Sequence, residues 1–436
     1  MRIHKNFFVI MGALFMGFFL ATHAGAATRT RNLTFSHAVA LALSHQPEVA
    51  AEMNEAKAAS RLADARKSIF YPKIGLHVGS LFSSIGNGIA DFESSNGRRE
   101  ITGQVVLNQK IYDPQATAAI EAALAKATFT HYRTLQGQLA IAHMVANIYY
   151  ELQMQQSSLS IWRLSVDQSK SNLAATKKGL VTGIRSELDL LRSRTALREV
   201  QENLSQARIK RKTLAGLMML MTGLSSLPPL AVGPPVSTGF VLPPLAQIEA
   251  SALIKQPALS MAESRKCRAA ALFNATRKQY IPHVKLQAVY GWDTLEFPWD
   301  TRPGWSIGIN ISIPIFSNGE LRAKKDTARL RLTSAKERSL QARLDLHKSL
   351  NAIWGKAKAA LDAYKASTNL MQDRKRIWQI SRKGYRAGRL SSMELLLAQQ
   401  EWIRGQQTRL ASLAHLRLAL VQMQLLIGKL PEKNNQ

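Results

Sequence analysis

The sequence predicts an α+β, mainly α protein that is internally duplicated, each half carrying a pair of short strands among long coiled-coil helices. Three observations carry this. Lys178-Gly179-Leu180-Val181-Thr182-Gly183, followed by Asp189-Leu190-Leu191, returns as Lys383-Gly384-Tyr385-Arg386-Ala387-Gly388, followed by Glu394-Leu395-Leu396, at a constant offset of 205 residues. Gln46-Pro47 and Tyr71-Pro72-Lys73-Ile74 recur as Gln256-Pro257 and Ile281-Pro282-His283-Val284, at an offset of 210. Each half also holds a proline-free run of about 65 residues and a segment of alternating polarity. A repeat this long lies far above the roughly 20–50-residue periods of solenoids, so it marks a duplicated half-protein.

The first element is an export signal. Residues 1–26 carry Arg2 and Lys5, an apolar stretch from Phe7 to Leu20, and the small residues Ala24-Gly25-Ala26, the pattern of a cleaved secretory signal peptide. The apolar stretch is shorter than the ~20 residues of a spanning helix. No cysteine follows it to take a lipid anchor. The sole cysteine, Cys267, has no partner for an internal disulfide. The expected organisation is then a first repeat over 27–222, a linker over 223–245, a second repeat over 246–430 and a tail over 431–436. Pro228-Pro229, Pro234-Pro235 and Pro243-Pro244 stiffen the linker.

Within each repeat the long helix is the plainest feature. From Pro114 to Lys178 there is no further proline and one glycine, Gly137. Asp113-Pro114 reads as an N-cap followed by proline at the first helical position. At 1.5 Å per residue this run spans about 98 Å. A second helix is expected over 187–221, and the second repeat follows the plan over 318–382 and 391–428. Helices this long must pack side by side, with Leu188, Leu191 and Thr195 on one and Leu395 and Trp402 on its equivalent read as the buried seams.

Strands are read at 74–78, 101–108, 284–290 and 307–313. The clearest is Ile307-Gly308-Ile309-Asn310-Ile311-Ser312-Ile313, a period of two that gives one apolar and one polar face. The connections 83–99 and 293–304, rich in Gly, Asn, Ser, Pro and Trp, are read as loops. Alternating strands in an exported chain match membrane-barrel segments, apolar face to lipid, with Trp292, Trp299 and Trp305 near an interface. On this reading Ile307, Ile309, Ile311 and Ile313 face lipid. Four strands cannot close such a barrel, since the smallest have about eight, and an open edge cannot stand in lipid. The chain must therefore oligomerise.

The formal net charge is +29, from 58 Lys and Arg against 29 Asp and Glu. So basic a protein would first be read as a nucleic-acid binder. Export excludes that, and basic residues such as Lys324-Lys325 and Arg374-Lys375-Arg376 are scattered along helices as solvated faces. An electropositive lumen or contacts to anionic lipid headgroups would use the remainder. There is no His-Glu-x-x-His, no Gly-x-Ser-x-Gly, no phosphate loop and no metal-spaced Cys/His cluster, so neither an enzyme nor a cofactor or metal site is expected.

Together, the signal peptide, the duplicated halves and the paired Lys-Gly-x-x-x-Gly…Asp/Glu-Leu-Leu breaks resemble the TolC family of outer-membrane efflux proteins. Gly384-Tyr385-Arg386-Ala387-Gly388 with Glu394 and Ala398 is the most diagnostic stretch, and Ile313-Pro314-Ile315-Phe316-Ser317-Asn318-Gly319 resembles that family's strand-to-helix exit. The resemblance implies a homotrimer with a twelve-stranded barrel in the outer membrane of a Gram-negative bacterium and a periplasmic helical tunnel of about 100 Å. An inner-membrane pump and a periplasmic adaptor are the implied partners, in drug efflux, metal efflux or type I secretion. It also implies that the breaks at Gly179, Gly183, Gly384 and Gly388 form the periplasmic tip, with Asp189 facing Tyr385 and Arg389 across the halves and an acidic entrance ring at Glu394. The next turn carries Leu397 instead of a second acid. Arg185, Arg382, Lys383, Arg386 and Arg389 surround the site, which departs from the family pattern. For Asp189 and Glu394, complementing a helix N-terminus is the simpler role; for the glycines it is left-handed capping. The competing architecture is an elongated periplasmic coiled-coil adaptor without a membrane barrel, which accounts for the helices and leaves the strand pairs unexplained.

Overall fold

The computed structural model describes residues 32–82, 99–231, 237, 239–296 and 300–431. The expected signal peptide, most of the 83–99 connection, Trp299, Pro234-Pro235 and the tail beyond 431 lie outside them. The first half runs α1 (Phe35–His45), α2 (Pro47–Lys67), β1 (Lys73–Phe82), β2 (Arg99–Tyr112), α3 (Pro114–Val181) and α4 (Glu187–Thr222). The second runs α5 (Leu245–Lys255), α6 (Pro257–Arg277), β3 (His283–Glu296), β4 (Asp300–Ser312), α7 (Glu320–Arg386) and α8 (Ser392–Leu426). Apart from a single 3-10 turn at Ser68–Phe70 in the first half, the two orders are the same.

Each long helix starts where its sequence supplies a cap. Asp113 accepts from the backbone N–H groups of Gln115 and Ala116 at 3.1 and 3.0 Å, ahead of Pro114. The same carboxylate meets Lys110 Nζ at 2.7 Å and His283 Nδ1 at 3.1 Å, tying the first long helix to strands of both halves. With 68 residues, α3 is about 100 Å long.

The strands form one antiparallel sheet in the order β1-β2-β3-β4, leaving β1 and β4 as edges. Cross-strand partners share a face, and the register lines up Ile74–Leu107–Ala288–Ile307 and Leu76–Val105–Tyr290–Trp305. Val284 and Leu286 stand opposite Ile311 and Ile309 on that face. The other face carries Lys73, His77, Gln104, Asn108, Lys110, Lys285, Gln287 and Asn310. One side of the sheet is thus apolar across all four strands.

Two expectations need correction here. The segment 293–304 is not a loop for most of its length: β3 continues to Glu296 and β4 begins at Asp300. Pro303 sits in β4, an edge strand of the chain, where a missing N–H is tolerated. Ile313 lies one residue past the end of β4. The seam expectation also divides. Leu395 and Trp402 are buried, but Leu188, Leu191 and Thr195 are exposed. The α4 helix packs through Ser193, Leu204 and Ala207, and Leu191 and Thr195 instead border an open groove of about 300 Å³ toward α8.

Two buried clusters lie mid-length on the long helices α3 and α7. Ala42, Val145, Ala146 and Met218 join α1, α3 and α4, while Ile248, Ala252, Leu346, Leu350 and Met423 join α5, α7 and α8. Deleting a side chain such as Met218, which is fully buried, costs roughly 2–5 kcal/mol. The linker binds both clusters. Leu33 and Leu230 form a parallel bridge, and the Tyr149 hydroxyl donates to the carbonyls of Leu33 and Ala231 at 2.9 and 3.2 Å. Farther on, Trp354 Nε1 donates to the Pro243 carbonyl at 3.1 Å.

Candidate functional site

At the end of the bundle away from the sheet, the two halves build the same turn. After α3, the N–H groups of Gly183 and Ile184 reach back to the carbonyls of Leu180 and Gly179 at 3.1 and 2.8 Å. After α7, Gly388 and Arg389 do the same to Tyr385 and Gly384 at 3.1 and 2.9 Å. Both are Schellman closures. Gly183 and Gly388 supply the left-handed residue, with φ of 72° and 74°. Gly179 and Gly384 leave room for the residue that folds back: a Cβ there would strike the side chains of Arg185 and Leu390.

A capping box then starts each returning helix. Ser186 Oγ accepts from Asp189 N–H at 3.2 Å, and the Asp189 carboxylate accepts from Ser186 N–H at 3.1 Å. Ser391 and Glu394 repeat this at 3.2 and 2.7 Å. Both pairs follow the Ser-x-x-acid pattern, the sequence signal by which Ser186 and Ser391 could have been found.

Asp189 also accepts from the Ser392 hydroxyl at the first position of α8, so its carboxylate joins the two halves. That hydrogen bond, with those from Ser186 and the nearby Arg185 charge, outweighs partial burial and holds the Asp189 carboxyl below the ordinary aspartate range. The Ser391 N–H and hydroxyl lower the Glu394 carboxyl in the same way.

The expected pairing of Asp189 with Tyr385 or Arg389 is not what forms. Tyr385 is buried, its hydroxyl 3.3 Å from Thr176 Oγ1, which lies 3.1 Å from Ser193 Oγ. Arg185 stacks over the Tyr385 ring at 4.1 Å. The capping box turns Asp189 into its own helix start, within reach of Ser392, and Arg185 covers the ring Asp189 was expected to meet. Arg386, Arg389 and Glu394 are exposed around this core.

Above the turns lies a second polar layer, then an aromatic one. Asn172 donates to Gln399 at 2.7 Å, and Gln399 donates to Ser169 at 3.2 Å. Trp378 and Trp402 stack with centroids 4.2 Å apart, and Arg382 lies 5.4 Å over Trp378. The cross-half partners Asn172, Ser169 and Gln399 are separated by more than 200 residues in sequence, so no local pattern announces them. Among the described residues no helix is long and apolar enough to cross a membrane, and no group of three or more His, Cys, Asp or Glu could hold a metal ion.

A one-sided apolar sheet on a bundle of about 100 Å, ending in a doubly capped tip, defines the class of outer-membrane channels that extend into the periplasm. The chain belongs to the outer membrane efflux protein family, whose model matches residues 38–223 and 250–429, one block in each half. It is 25% identical over 415 residues to protein CyaE of Bordetella pertussis, covering 93% of this chain and 86% of that one. It is 28% identical over 285 residues to the solvent efflux pump outer membrane protein SrpC of Pseudomonas putida, covering 62% and 58%. The fold matches the crystal structure of VceC from Vibrio cholerae with a TM-score of 0.77 at 16% identity, covering 90% of this chain and 96% of that one. The outer-membrane channel OprN matches with a TM-score of 0.79, covering 90% and 89%.

The protein is therefore an exit duct of the outer membrane with a long periplasmic extension, of the kind used in efflux and secretion. It is a conduit and not an enzyme. The reading as a barrel-less coiled-coil bridge is set aside.

Proposed function

We propose that three copies join β4 of one chain to β1 of the next, closing a twelve-stranded barrel whose apolar face meets lipid. The polar face then lines a continuous passage into the helical tunnel. The carrying observation is a four-stranded sheet with an apolar face and two unpaired edges, which lipid forbids unless neighbours satisfy them. Ile307, Ile309 and Ile311 are largely exposed on that face in the single chain.

An inner-membrane pump and a periplasmic adaptor supply energy and cargo, and the duct supplies a sealed path. The tip is its gate. Asp189–Ser392, Tyr385–Thr176 and the Arg185–Tyr385 stack hold the α3–α4 and α7–α8 helix pairs together, and separating them opens the periplasmic mouth. Arg185, Arg386, Arg389 and Glu394 set the field there. The test is reconstitution in planar lipid bilayers: discrete conductance steps that enlarge when the tip contacts are removed support the reading, and the absence of any conductance overturns it.

A further inference from the structure

The register of the sheet gathers lysines in one place. Lys110 on β2 stands directly opposite Lys285 on β3, and Lys73 on β1 stands opposite Asn108, one diagonal step from Lys110. All three are on the polar face, at the end of the sheet that meets the helices. Directly opposed like charges destabilise a sheet, so packing alone would not select this pair. Lys110 is paired with Asp113 at 2.7 Å. Among the described residues, neither Lys73 nor Lys285 has a carboxylate partner, and both are exposed.

The same sign continues along the helices. A groove of about 740 Å³ between α6 and α7 is bordered by Arg265, Arg268, Arg331 and Arg338, and no carboxylate lines it. Arg265 is braced over the Phe129 ring at 4.6 Å. Basic residues recur at the tip as Arg185, Arg382, Arg386 and Arg389.

We propose that Lys73, Lys110 and Lys285 form an anion-selecting ring at the base of the barrel, and that the cargo of this duct carries net negative charge. The inference rests on the channel reading, with the apolar face toward lipid; three copies would then place nine lysines around one lumen. Cross-strand neighbours are about 5 Å apart, within the Debye length of about 8 Å at physiological salt. Their fields therefore add rather than being screened separately. A ring of fixed positive charge lowers the barrier for anions and raises it for cations.

The test is the reversal potential of the full-length protein in neutral-lipid bilayers under a KCl gradient, with tripolyphosphate added from the barrel side. Wild-type protein should reverse toward the chloride potential and be blocked by tripolyphosphate. In Lys73→Gln/Lys285→Gln the reversal potential should shift toward zero and the block should be lost, with conductance steps retained. That variant relieves the opposed lysine pair and leaves the Lys110–Asp113 cap intact, so the fold is spared. A cation-selective wild type, or a double variant with unchanged reversal and block, would overturn the proposal while leaving the channel intact. No conductance from either protein would overturn the channel reading and this inference with it.

Discussion

The Asp189 carboxylate, which caps α4 of the first half, accepts a hydrogen bond from the Ser392 hydroxyl at the start of α8 in the second half. Each half ends in the same turn, and this bond fastens one turn to the other. The long helices above owe their stability to packed clusters such as Leu361, Tyr364 and Leu416, so the tip can loosen without the bundle unfolding.

Ser392→Ala together with Tyr385→Phe removes both cross-half hydroxyls and leaves the Asp189 capping box in place. Each lost bond is worth about 1 kcal/mol, repeated around the aperture in a symmetric assembly. Single-channel conductance in planar bilayers should rise, with cells sensitised to large antibiotics and the thermal melt nearly unchanged. Asp189→Ala with Tyr385→Phe should do the same and also fray the start of α4. Wild-type conductance in both double variants would remove these residues from the gate.

The tip should also respond to acid. Asp189 and Glu394 have lowered carboxyl pKa values in the folded chain. Their caps therefore contribute fully above the ordinary carboxylate range of about 3.9–4.3 and are lost as pH falls through the lower folded values. Amide hydrogen exchange around residues 186–190 and 391–395 should accelerate near pH 3 relative to pH 7, after correction for intrinsic rates. Asp189→Asn should already exchange fast at pH 7 in the first segment. Equal protection at both pH values would show that the boxes do not hold the turns.

Much of this architecture was legible in the chain. Freedom from proline after Asp113-Pro114 announced α3, and the offset repeat announced its twin α7. Strict alternation from Ile307 to Ser312 announced β4 and its apolar face. The extent of β3 and β4 was not legible, because Pro303 and Gly304 are turn-like residues that an edge strand of the chain accepts. Nor was the partner of Asp189. Local pattern gives its place in a helix start, but Ser392 arrives only through the stacking of two halves. Leu188 and Leu191 have the spacing of a seam, and nothing in that spacing says whether a neighbour in the same chain covers them.

The face assignment predicts an asymmetry between adjacent residues. A charge at the bilayer midplane on the lipid side costs about 2–4 kcal/mol. Ile309→Arg should therefore impair membrane assembly far more than Asn310→Arg, measured as the heat-stable oligomer recovered from outer membranes. Equal recovery of the two variants would contradict the assignment.

At the waist, Tyr149 ties α3 to the N-terminal segment and the linker. Burial pushes its phenol to about 12, so it remains a donor throughout the physiological range. Tyr149→Phe removes that donor, while the Leu33 and Ala231 carbonyls keep the Ala231 N–H and Gln153 Nε2, and should cost about 0.5–1.5 kcal/mol in detergent-solubilised denaturation. Tyr71→Phe, at an exposed tyrosine, should stay within about 0.5 kcal/mol of wild type. Equal effects of the two would show that the linker is not anchored at Tyr149.

The central claim is that the open, one-sided sheet of a single chain is completed by copies of itself in the outer membrane. Native mass spectrometry of the detergent-extracted protein tests it most directly. The proposed twelve-stranded barrel predicts a complex of three chains that survives removal of the micelle; a stable monomer with its sheet intact would contradict it.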